Sequence, residues 1–279
     1  MEANQPSRTA HGAALLRAAH QLADTPPVFA DPLALKIVGE AEATELRKGA
    51  GRQVMEETKP LRLFIATRSR FTEDSLAEAY QAGVRQYVVL GAGLDTFAYE
   101  RARRFTGLAV FEIDHPATQA WKRERLAKAA IAVPEGLTYA PVDFERETLA
   151  NGLRAASFDF DAPAFFAWLG VTPYLTNEAI MGTLAFIASL NPESGVAFDY
   201  AEKPSAEHAG FRAMAERVAA LGEPFRSLLD PAELTASLKK LGFRRIEDFN
   251  GEALNARYFQ GRADGARLAG RGHMMRAIV

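Results

Sequence analysis

The strongest constraint on the fold is a change of apolar period at Gly83. Before this residue, apolar side chains recur at helical spacing and the sequence contains no strand candidate. After it, short apolar runs of strand length, beginning with 87–90, alternate with helical segments. Strands and helices that alternate at this spacing predict right-handed crossovers and a parallel sheet with helices on both faces. We therefore predict an α/β, doubly wound core preceded by a helical cap.

The predicted elements divide a single domain, 1–279, into a helical cap at 1–82 and a core at 83–279. The predicted strands are 87–90, 109–114, 137–142, 164–169, 196–200, 244–249 and 272–279. The predicted helices are 9–22, a short helix capped by Asp31, 60–81, 116–132, 145–155, 178–190 capped by Asn177, 206–221 and 231–241. A helical insertion is predicted at about 203–241. Because 250–271 has only a weak helical pattern, we expect the last strand to enter the sheet antiparallel.

Composition limits the classes of partner. Lys and Arg number 33 against 35 Asp and Glu, so the net charge of −2 gives no general attraction to nucleic acid or an anionic membrane. The chain has no cysteine and no metal-ligand spacing of His, Asp and Glu, which predicts a protein without disulfides or a metal. Arg17 interrupts the one early apolar run, and no segment reaches the roughly 20 apolar residues of a spanning helix. We expect a soluble, cytoplasmic monomer or homodimer that binds neither nucleic acid nor membranes.

A glycine-containing turn follows the first predicted strand. The run Gly91-Ala92-Gly93-Leu94-Asp95 stands where ligands bind in a doubly wound sheet, outside the carboxyl ends of the strands. Glycine at 91 and 93 lets the backbone approach a ligand closely. Thr96 occupies the position of the third glycine of a dinucleotide motif, so a pyrophosphate cradle and a nicotinamide-dependent oxidoreductase are disfavoured.

Two further strand ends carry carboxylates. Asp114 could accept hydrogen bonds from both hydroxyls of an adenosine ribose, or it could cap the helix that begins at Pro116. Asp143 and Phe144 would suit the exocyclic amine and the ring of adenine, or they could be a helix cap and a core phenylalanine. Three such features on one edge of the sheet favour a nucleoside-containing ligand.

Four segments together resemble a known family: RSRF at 68–71, YVVLGAGLDT at 87–96, FEIDHP at 111–116 and PVDF at 141–144. They resemble the class I S-adenosylmethionine-dependent methyltransferases of the leucine carboxyl methyltransferase type, and most closely its bacterial branch, which includes polyketide O-methyltransferases. The likeness runs from Thr9 to Tyr200. It implies a Rossmann-like, seven-stranded sheet, mostly parallel with an antiparallel C-terminal strand, and an N-terminal helical cap. It also implies S-adenosylmethionine as the cofactor and S-adenosylhomocysteine as the product.

The resemblance implies a set of cofactor-binding residues, which are Arg68, Gly91, Ala92, Gly93, Asp95, Asp114, His115, Asp143, Phe144 and Leu169. In this set the glycines flank the methionine part, Asp114 holds the ribose, and Asp143 with Phe144 holds the adenine. An arginine before the first strand pairs with the methionyl carboxylate, because a guanidinium binds a carboxylate bidentately. Arg68 is the first choice and Arg70 the second.

One position departs from the family pattern. Leu169 stands near the end of the fourth strand, where the eukaryotic leucine carboxyl enzymes carry a glutamate that meets the cofactor amine. The resemblance therefore does not extend to that contact or to a protein substrate. Backbone carbonyls near Gly91 or Gly170 are alternatives for binding the amine.

The acceptor side offers three catalytic candidates, Tyr174, Tyr200 and His115, with His20 as a fourth. A hydroxyl acceptor gains from a base within hydrogen-bond reach, whereas a carboxylate needs none. The alternatives are that His115 caps a helix, that the tyrosines are core residues, and that His20 is an exposed helix residue.

The sequence thus predicts methyl transfer to an oxygen of a small, mostly apolar molecule. The alternatives are methyl ester formation on a small acid and a catalytically silent nucleotide-binding protein. A NAD-dependent oxidoreductase is less favoured.

Overall fold

A computed structural model describes residues 7–48, 56–144, 146–203 and 226–279. Their strands form one seven-stranded sheet in the order β3-β2-β1-β4-β5-β7-β6. The strands are β1 Gln86–Leu90, β2 Ala109–Asp114, β3 Leu137–Pro141, β4 Ala164–Trp168, β5 Gly195–Ala201, β6 Arg245–Phe249 and β7 Gly272–Ile278. Strand β7 runs antiparallel to β5 and β6, and the other described pairs are parallel. This arrangement confirms the predicted fold class.

Helices cover both faces of the sheet. Their bounds are α1 Arg8–Ala23, α2 Ala34–Ile37, α3 Glu40–Arg47, α4 Lys59–Gln81, α5 Pro116–Lys128, α6 Leu149–Ala155, α7 Asn177–Ala188, α8 Pro231–Leu241 and α9 Gly251–Tyr258. Helices α1 to α5 and α9 bury residues in the core on one face, whereas α6, α7 and α8 cover the other. The described residues before β1 are helical and contain no strand, as predicted.

The central strands are apolar throughout because both of their faces are covered. Every residue of β1 and β4 is buried. In the ladder, Val89 lies opposite Ala167, which lies opposite Ala197. All three pack in the core beneath the N-terminal helices, so they point to the same face of the sheet. Residues two positions further along each strand point to that face as well.

Several predicted boundaries were wrong. Helix α7 begins at Asn177, and its cap is Thr176, whose hydroxyl accepts from the Ala179 N–H at 3.3 Å. Helix α6 begins at Leu149 rather than at 145, and α5 ends at Lys128 rather than at 132. The predicted helix 206–221, and with it much of the insertion at 203–241, lies outside the described residues.

Two helices were missed by the sequence analysis. Helix α3 is mostly polar and buries only Ala43, so it shows little apolar periodicity. Helix α9 is short, buries only Leu254 and lies within the segment that was assigned a weak pattern. Both are capped or stabilised locally rather than by a broad apolar face.

Candidate functional site

The glycine turn after β1 has a conformation that requires glycine. Gly91 and Gly93 have φ angles of +66° and +45°, in the left-handed region that other residues rarely adopt. The N–H groups of Gly91 and Ala92 both donate to the Ile113 carbonyl of β2, at 2.9 and 3.1 Å. A side chain on Gly91 would collide with Val171, which follows β4. The turn is therefore fixed between the ends of β2 and β4.

Asp114 ends β2 with its carboxylate held against this turn. One oxygen accepts from the Gly93 N–H at 2.6 Å, and the other accepts from the His115 N–H at 2.7 Å. Burial raises the pKa of Asp114, although these two hydrogen bonds partly offset the effect. The carboxylate orientation is thus set by backbone donors, and each oxygen keeps a lone pair for a further donor.

His115, and not Asp114, is the cap of α5. Its Nδ1 accepts from the Ala117 N–H at 3.2 Å, which matches the capping alternative considered for His115. With Nδ1 engaged in this way, Nε2 is the ring atom that remains for a catalytic or cofactor contact. The cap alternative for Asp114 does not hold.

Arg68 and Arg70 point in different directions from α4. The Arg68 Nη1 lies 3.0 Å from Asp199 Oδ2, with only 14% of the Arg68 side chain exposed. The Arg70 Nε instead pairs with Asp74 on the outer side of the helix at 2.9 Å. Arg68 is therefore the arginine that faces the ends of β4 and β5.

Asp143 and Phe144 follow β3, as the strand boundaries predicted. Helix α6 begins later and is capped by Thr148, and Phe144 is 57% exposed. The alternative of a helix cap with a core phenylalanine is therefore wrong. An exposed ring at this strand end is free to stack on a planar ligand. Asp143 also lies 3.4 Å from the Arg146 side chain.

Asp95 and Leu169 complete the predicted cofactor set. The Asp95 side chain accepts from the Phe97 N–H at 2.8 Å, at the start of a 3-10 helix, Phe97–Tyr99. Leu169 is half-buried just beyond β4 and packs on the core beneath the N-terminal helices. Leu169 provides no charge at this strand end.

The catalytic candidates lie at separate places. Tyr174 ends a 3-10 helix after β4 and is half-buried. Tyr200 is buried on β5, with its hydroxyl 3.2 Å from His273 Nδ1, and that nitrogen lies 3.0 Å from Asp248. Burial, with the nearby Asp248 carboxylate, raises the pKa of Tyr200. Tyr200 and Asp199 are neighbours on β5 and point to opposite faces of the sheet.

His20 is a structural residue. It is completely buried rather than exposed, so the alternative considered for it was wrong. Its Nδ1 lies 2.7 Å from Asp24, and its Nε2 accepts from the Val28 N–H at 3.1 Å. Both ring nitrogens are therefore engaged by the protein, which leaves none for a substrate.

Helix α1 lies directly over the glycine turn. The Cβ of Ala10 is 3.0 Å from the point that a Cβ on Gly93 would occupy. The Arg17 Nη2 donates to the Leu94 carbonyl at 2.6 Å, and the Ser7 N–H donates to the Thr118 hydroxyl at 3.3 Å. The N-terminal helix is thus part of this edge of the sheet.

A buried charge network supports that arrangement and was missed by the sequence analysis. The Asp31 carboxylate contacts Arg17 at 2.8 Å, Arg101 at 3.0 Å and the Thr96 hydroxyl at 2.6 Å. Burial alone would raise the pKa of Asp31, but the two arginines hold it below its usual range. Asp31 also accepts from the Leu33 N–H at 3.0 Å, although α2 begins only at Ala34. Partners 14 and 70 residues apart leave no pattern in a single sequence.

Two features are absent from the part of the chain that the structure describes. In the ranges 7–48, 56–144, 146–203 and 226–279, no three His, Asp or Glu side chains are grouped to hold a metal ion. No helix in that part of the chain is both long and apolar enough to cross a membrane.

The chain is similar in sequence to known methyltransferases. The family model for leucine carboxyl methyltransferase matches residues 10–188. YktD of Bacillus subtilis (strain 168), named as a candidate S-adenosyl-L-methionine-dependent methyltransferase, is 29% identical over 289 residues, covering 95% of each chain. A candidate S-adenosyl-L-methionine-dependent methyltransferase of Mycobacterium sp. (strain JLS) is 31% identical over 70% of this chain and 71% of its own.

A solved structure agrees on the fold. A candidate methyltransferase from Thermobifida fusca YX superposes with a TM-score of 0.61, covering 99% of this chain and 96% of its own. The identity is 16%, so this likeness concerns the fold alone.

Proposed function

Because the chain belongs to the leucine carboxyl methyltransferase family, we propose that it transfers a methyl group from S-adenosylmethionine to an oxygen of a small, mostly apolar molecule. The use of S-adenosylmethionine as methyl donor rests on the family and on a relative aligned over 95% of the chain. The chain is accordingly an S-adenosylmethionine-dependent methyltransferase. The nature of the acceptor is our proposal.

One observation supports the cofactor site most strongly. The Asp114 carboxylate is fixed by two backbone N–H groups at the glycine turn, with lone pairs left over. This acceptor fits a ribose, because a carboxylate can accept from two adjacent hydroxyls. Arg68 would bind the methionyl carboxylate, and the exposed Phe144 with Asp143 would bind the adenine. When bound, S-adenosylmethionine supplies the activated methyl group.

The protein's part in the reaction is positioning. An acceptor oxygen has to be held in line with the methyl group at roughly 3 to 3.5 Å. The ends of β4 and β5 carry Trp168 and Tyr200, which are buried in the core on the face opposite Leu169 and Asp199, and these apolar surroundings favour an apolar acceptor. Helix α1, which lies over the glycine turn, would exclude water from the reaction.

For a hydroxyl acceptor, we favour Tyr200 over Tyr174 and His115 as the residue that contacts the reacting oxygen. The Tyr200 hydroxyl is hydrogen-bonded to His273, which in turn contacts Asp248. The proton that the acceptor releases would pass to the Tyr200 oxygen as the Tyr200 hydroxyl proton moves to His273 Nδ1, and the Asp248 carboxylate beside that nitrogen would stabilise the imidazolium. The proposal involves no metal ion.

Carboxyl methylation is the second candidate, and the name of the family favours it. A carboxylate is already ionised at neutral pH and needs no proton acceptor. We favour the hydroxyl because Leu169 replaces the glutamate of the protein-carboxyl enzymes.

The test is an activity screen with S-adenosylmethionine and matched small phenols, alcohols and carboxylic acids, in which S-adenosylhomocysteine formation is measured. We expect turnover of a phenol or alcohol, with a rate that rises from about pH 6 to 9 as a phenol loses its proton. A flat profile with a carboxylic acid would instead support ester formation. Activity that a chelator abolishes and Mg²⁺ restores would contradict the metal-free proposal.

Ligand binding distinguishes the proposed enzyme from a NAD-dependent oxidoreductase and from a catalytically silent binding protein. Calorimetry should detect S-adenosylhomocysteine binding and no comparable NAD binding. Binding of S-adenosylhomocysteine without turnover of any acceptor would favour the catalytically silent alternative.

A further inference from the structure

Asp199 lies level with the glycine turn on a strand two places away. Val89, Ala167 and Ala197 are adjacent in the ladder and share one face of the sheet. Two residues further along the chain from each are Gly91 and Leu169, just beyond the ends of β1 and β4, and Asp199, on β5. Neighbouring strands are about 4.8 Å apart, so Asp199 is roughly 10 Å from Gly91, with Leu169 between them.

The Asp199 carboxylate is buried but not saturated. It is 4% exposed, and its Oδ1 accepts from the Gly170 N–H at 2.6 Å. Its Oδ2 accepts from Arg68 at 3.0 Å. The Asp199 backbone carbonyl also accepts from the Thr172 hydroxyl at 2.5 Å, which fixes the strand end. A carboxylate has about four lone-pair sites, so two remain on Asp199 for another donor.

Gly170 is what allows the Arg68–Asp199 pair to reach this strand end. A Cβ on Gly170 would stand 2.7 and 2.8 Å from the two terminal nitrogens of Arg68. The φ of Gly170 is also +70°, a conformation that a side chain would strain. The guanidinium and the carboxylate thus sit together where β4 and β5 end, beside the half-buried Leu169.

The Arg68–Asp199 pair has one positive and one negative charge, so it is suited to a ligand that also carries one charge of each sign. Burying such a pair without a further partner costs desolvation and adds little stability. An α-amino acid group presents a carboxylate and an ammonium on one carbon, so one member of the pair can bind each. The acidic side chains at the turn have other partners: Asp114 accepts from the turn itself, and Asp95 accepts from the Phe97 N–H at 2.8 Å.

We propose that Asp199 binds the ammonium of the cofactor's methionine part while it holds Arg68 toward the carboxylate of the same group. This inference rests on the proposed function, since it takes S-adenosylmethionine as the ligand. It assigns the amine contact to β5, one strand beyond the position where Leu169 provides no charge.

The test compares Asp199→Asn with wild type using three probes that contain adenosine. S-Adenosylhomocysteine has both charges, its desamino analogue keeps only the carboxylate, and 5′-methylthioadenosine has neither. We expect the variant to bind S-adenosylhomocysteine about 10- to 100-fold more weakly, as for loss of a hydrogen bond between charged groups. The loss for the desamino analogue should be at least tenfold smaller, and 5′-methylthioadenosine should bind both proteins alike.

The matched control is Asp74→Asn, which removes an aspartate that pairs with the other arginine, Arg70. It should bind all three probes like wild type. Equal losses of S-adenosylhomocysteine and the desamino analogue in Asp199→Asn would mean that Asp199 only orients Arg68, and the amine contact would be refuted. If wild type binds none of the probes, the proposed function itself fails, which is a distinct result.

A second variant keeps the test valid should Asp199→Asn not fold. Leu169→Lys places a cation on the half-buried residue between Gly91 and Asp199, where it would compete with the ligand's ammonium. We expect this variant to lose S-adenosylhomocysteine binding at least tenfold more than binding of the desamino analogue. An unchanged ratio of the two affinities would overturn the proposal.

Discussion

The Cβ of Ala10 on α1 lies 3.0 Å from the point that a Cβ on Gly93 would occupy. The first turn of the N-terminal helix and the glycine turn after β1 are therefore packed without room for a methyl group between them. The contact joins the helical cap to the edge of the sheet that carries Asp114.

Gly93→Ala should destabilise the protein by about 2 kcal/mol and weaken S-adenosylhomocysteine binding. The new Cβ would meet Ala10, and φ at this position is +45°. Gly107→Ala is the matched control, because Gly107 has φ +74° and open space around it, so its cost of about 1 kcal/mol reports backbone strain alone. Adding Ala10→Gly should recover part of the Gly93→Ala loss in thermal unfolding. If the double variant unfolds at the same temperature as Gly93→Ala, the new methyl group does not clash with Ala10.

Arg68→Met should abolish most cofactor affinity, whereas Arg70→Met should leave it near the wild-type value. Arg68 faces Asp199 at the strand ends, and Arg70 pairs with Asp74 on the outer surface, with 49% of its side chain exposed. A surface pair of this kind is worth about 0 to 1 kcal/mol. Titration calorimetry with S-adenosylhomocysteine measures both variants. A larger loss at Arg70 would reverse the assignment of the methionyl carboxylate.

Asp114→Asn should weaken cofactor binding by about 1 to 3 kcal/mol while leaving the sheet intact. An asparagine amide nitrogen cannot accept from the Gly93 or His115 N–H, so one of these two contacts is lost along with the ribose contact. Calorimetry and circular dichroism together separate binding from folding. Asp161→Asn, at an exposed loop position, should behave like wild type in both measurements. Wild-type affinity in Asp114→Asn would refute the ribose assignment.

Asp31→Asn should lower the free energy of unfolding by about 3 kcal/mol near neutral pH, because Arg17 and Arg101 lose a buried partner. The folded pKa of Asp31 lies below the ordinary value of about 3.9, so its stabilisation is present above that value and is lost as pH falls through the folded pKa. The difference between variant and wild type should thus be constant from about pH 5 to 8 and narrow below about pH 4. Denaturant titrations at several pH values measure it.

The control for this pH dependence is Glu45→Gln, which removes an exposed pair with Lys48. Its effect should stay within about 1 kcal/mol at every pH. If the difference in unfolding free energy between wild type and Asp31→Asn grew as the pH fell, the pKa of Asp31 would not be lowered in the folded protein.

The sheet could be predicted because its central strands are continuous apolar runs. The strand 109–114 has the predicted bounds, and the other strands differ by one or two residues at their ends. Asp114 could be singled out because it ends a strand, and the position alone implied its proximity to the glycine turn. Local signals of this kind need no knowledge of tertiary contacts.

The residues that escaped prediction depend on distant partners. Asp199 lies inside an apolar run that indicated only a buried strand, and its partner Arg68 is 131 residues away. Asp31 and Arg101 are likewise joined across 70 residues. A single sequence records neither pairing, so both carboxylates emerged only from the folded chain.

The position of β7 also constrains how the sheet is assembled. It lies between β5 and β6, although it follows both in the chain. Strand β6 is synthesised first but has no partner in the sheet until β7 is in place. Neither β6 nor β7 can therefore join the sheet until β7 has been synthesised, and the edge of β5 has to wait for a strand that lies about 70 residues further along the chain.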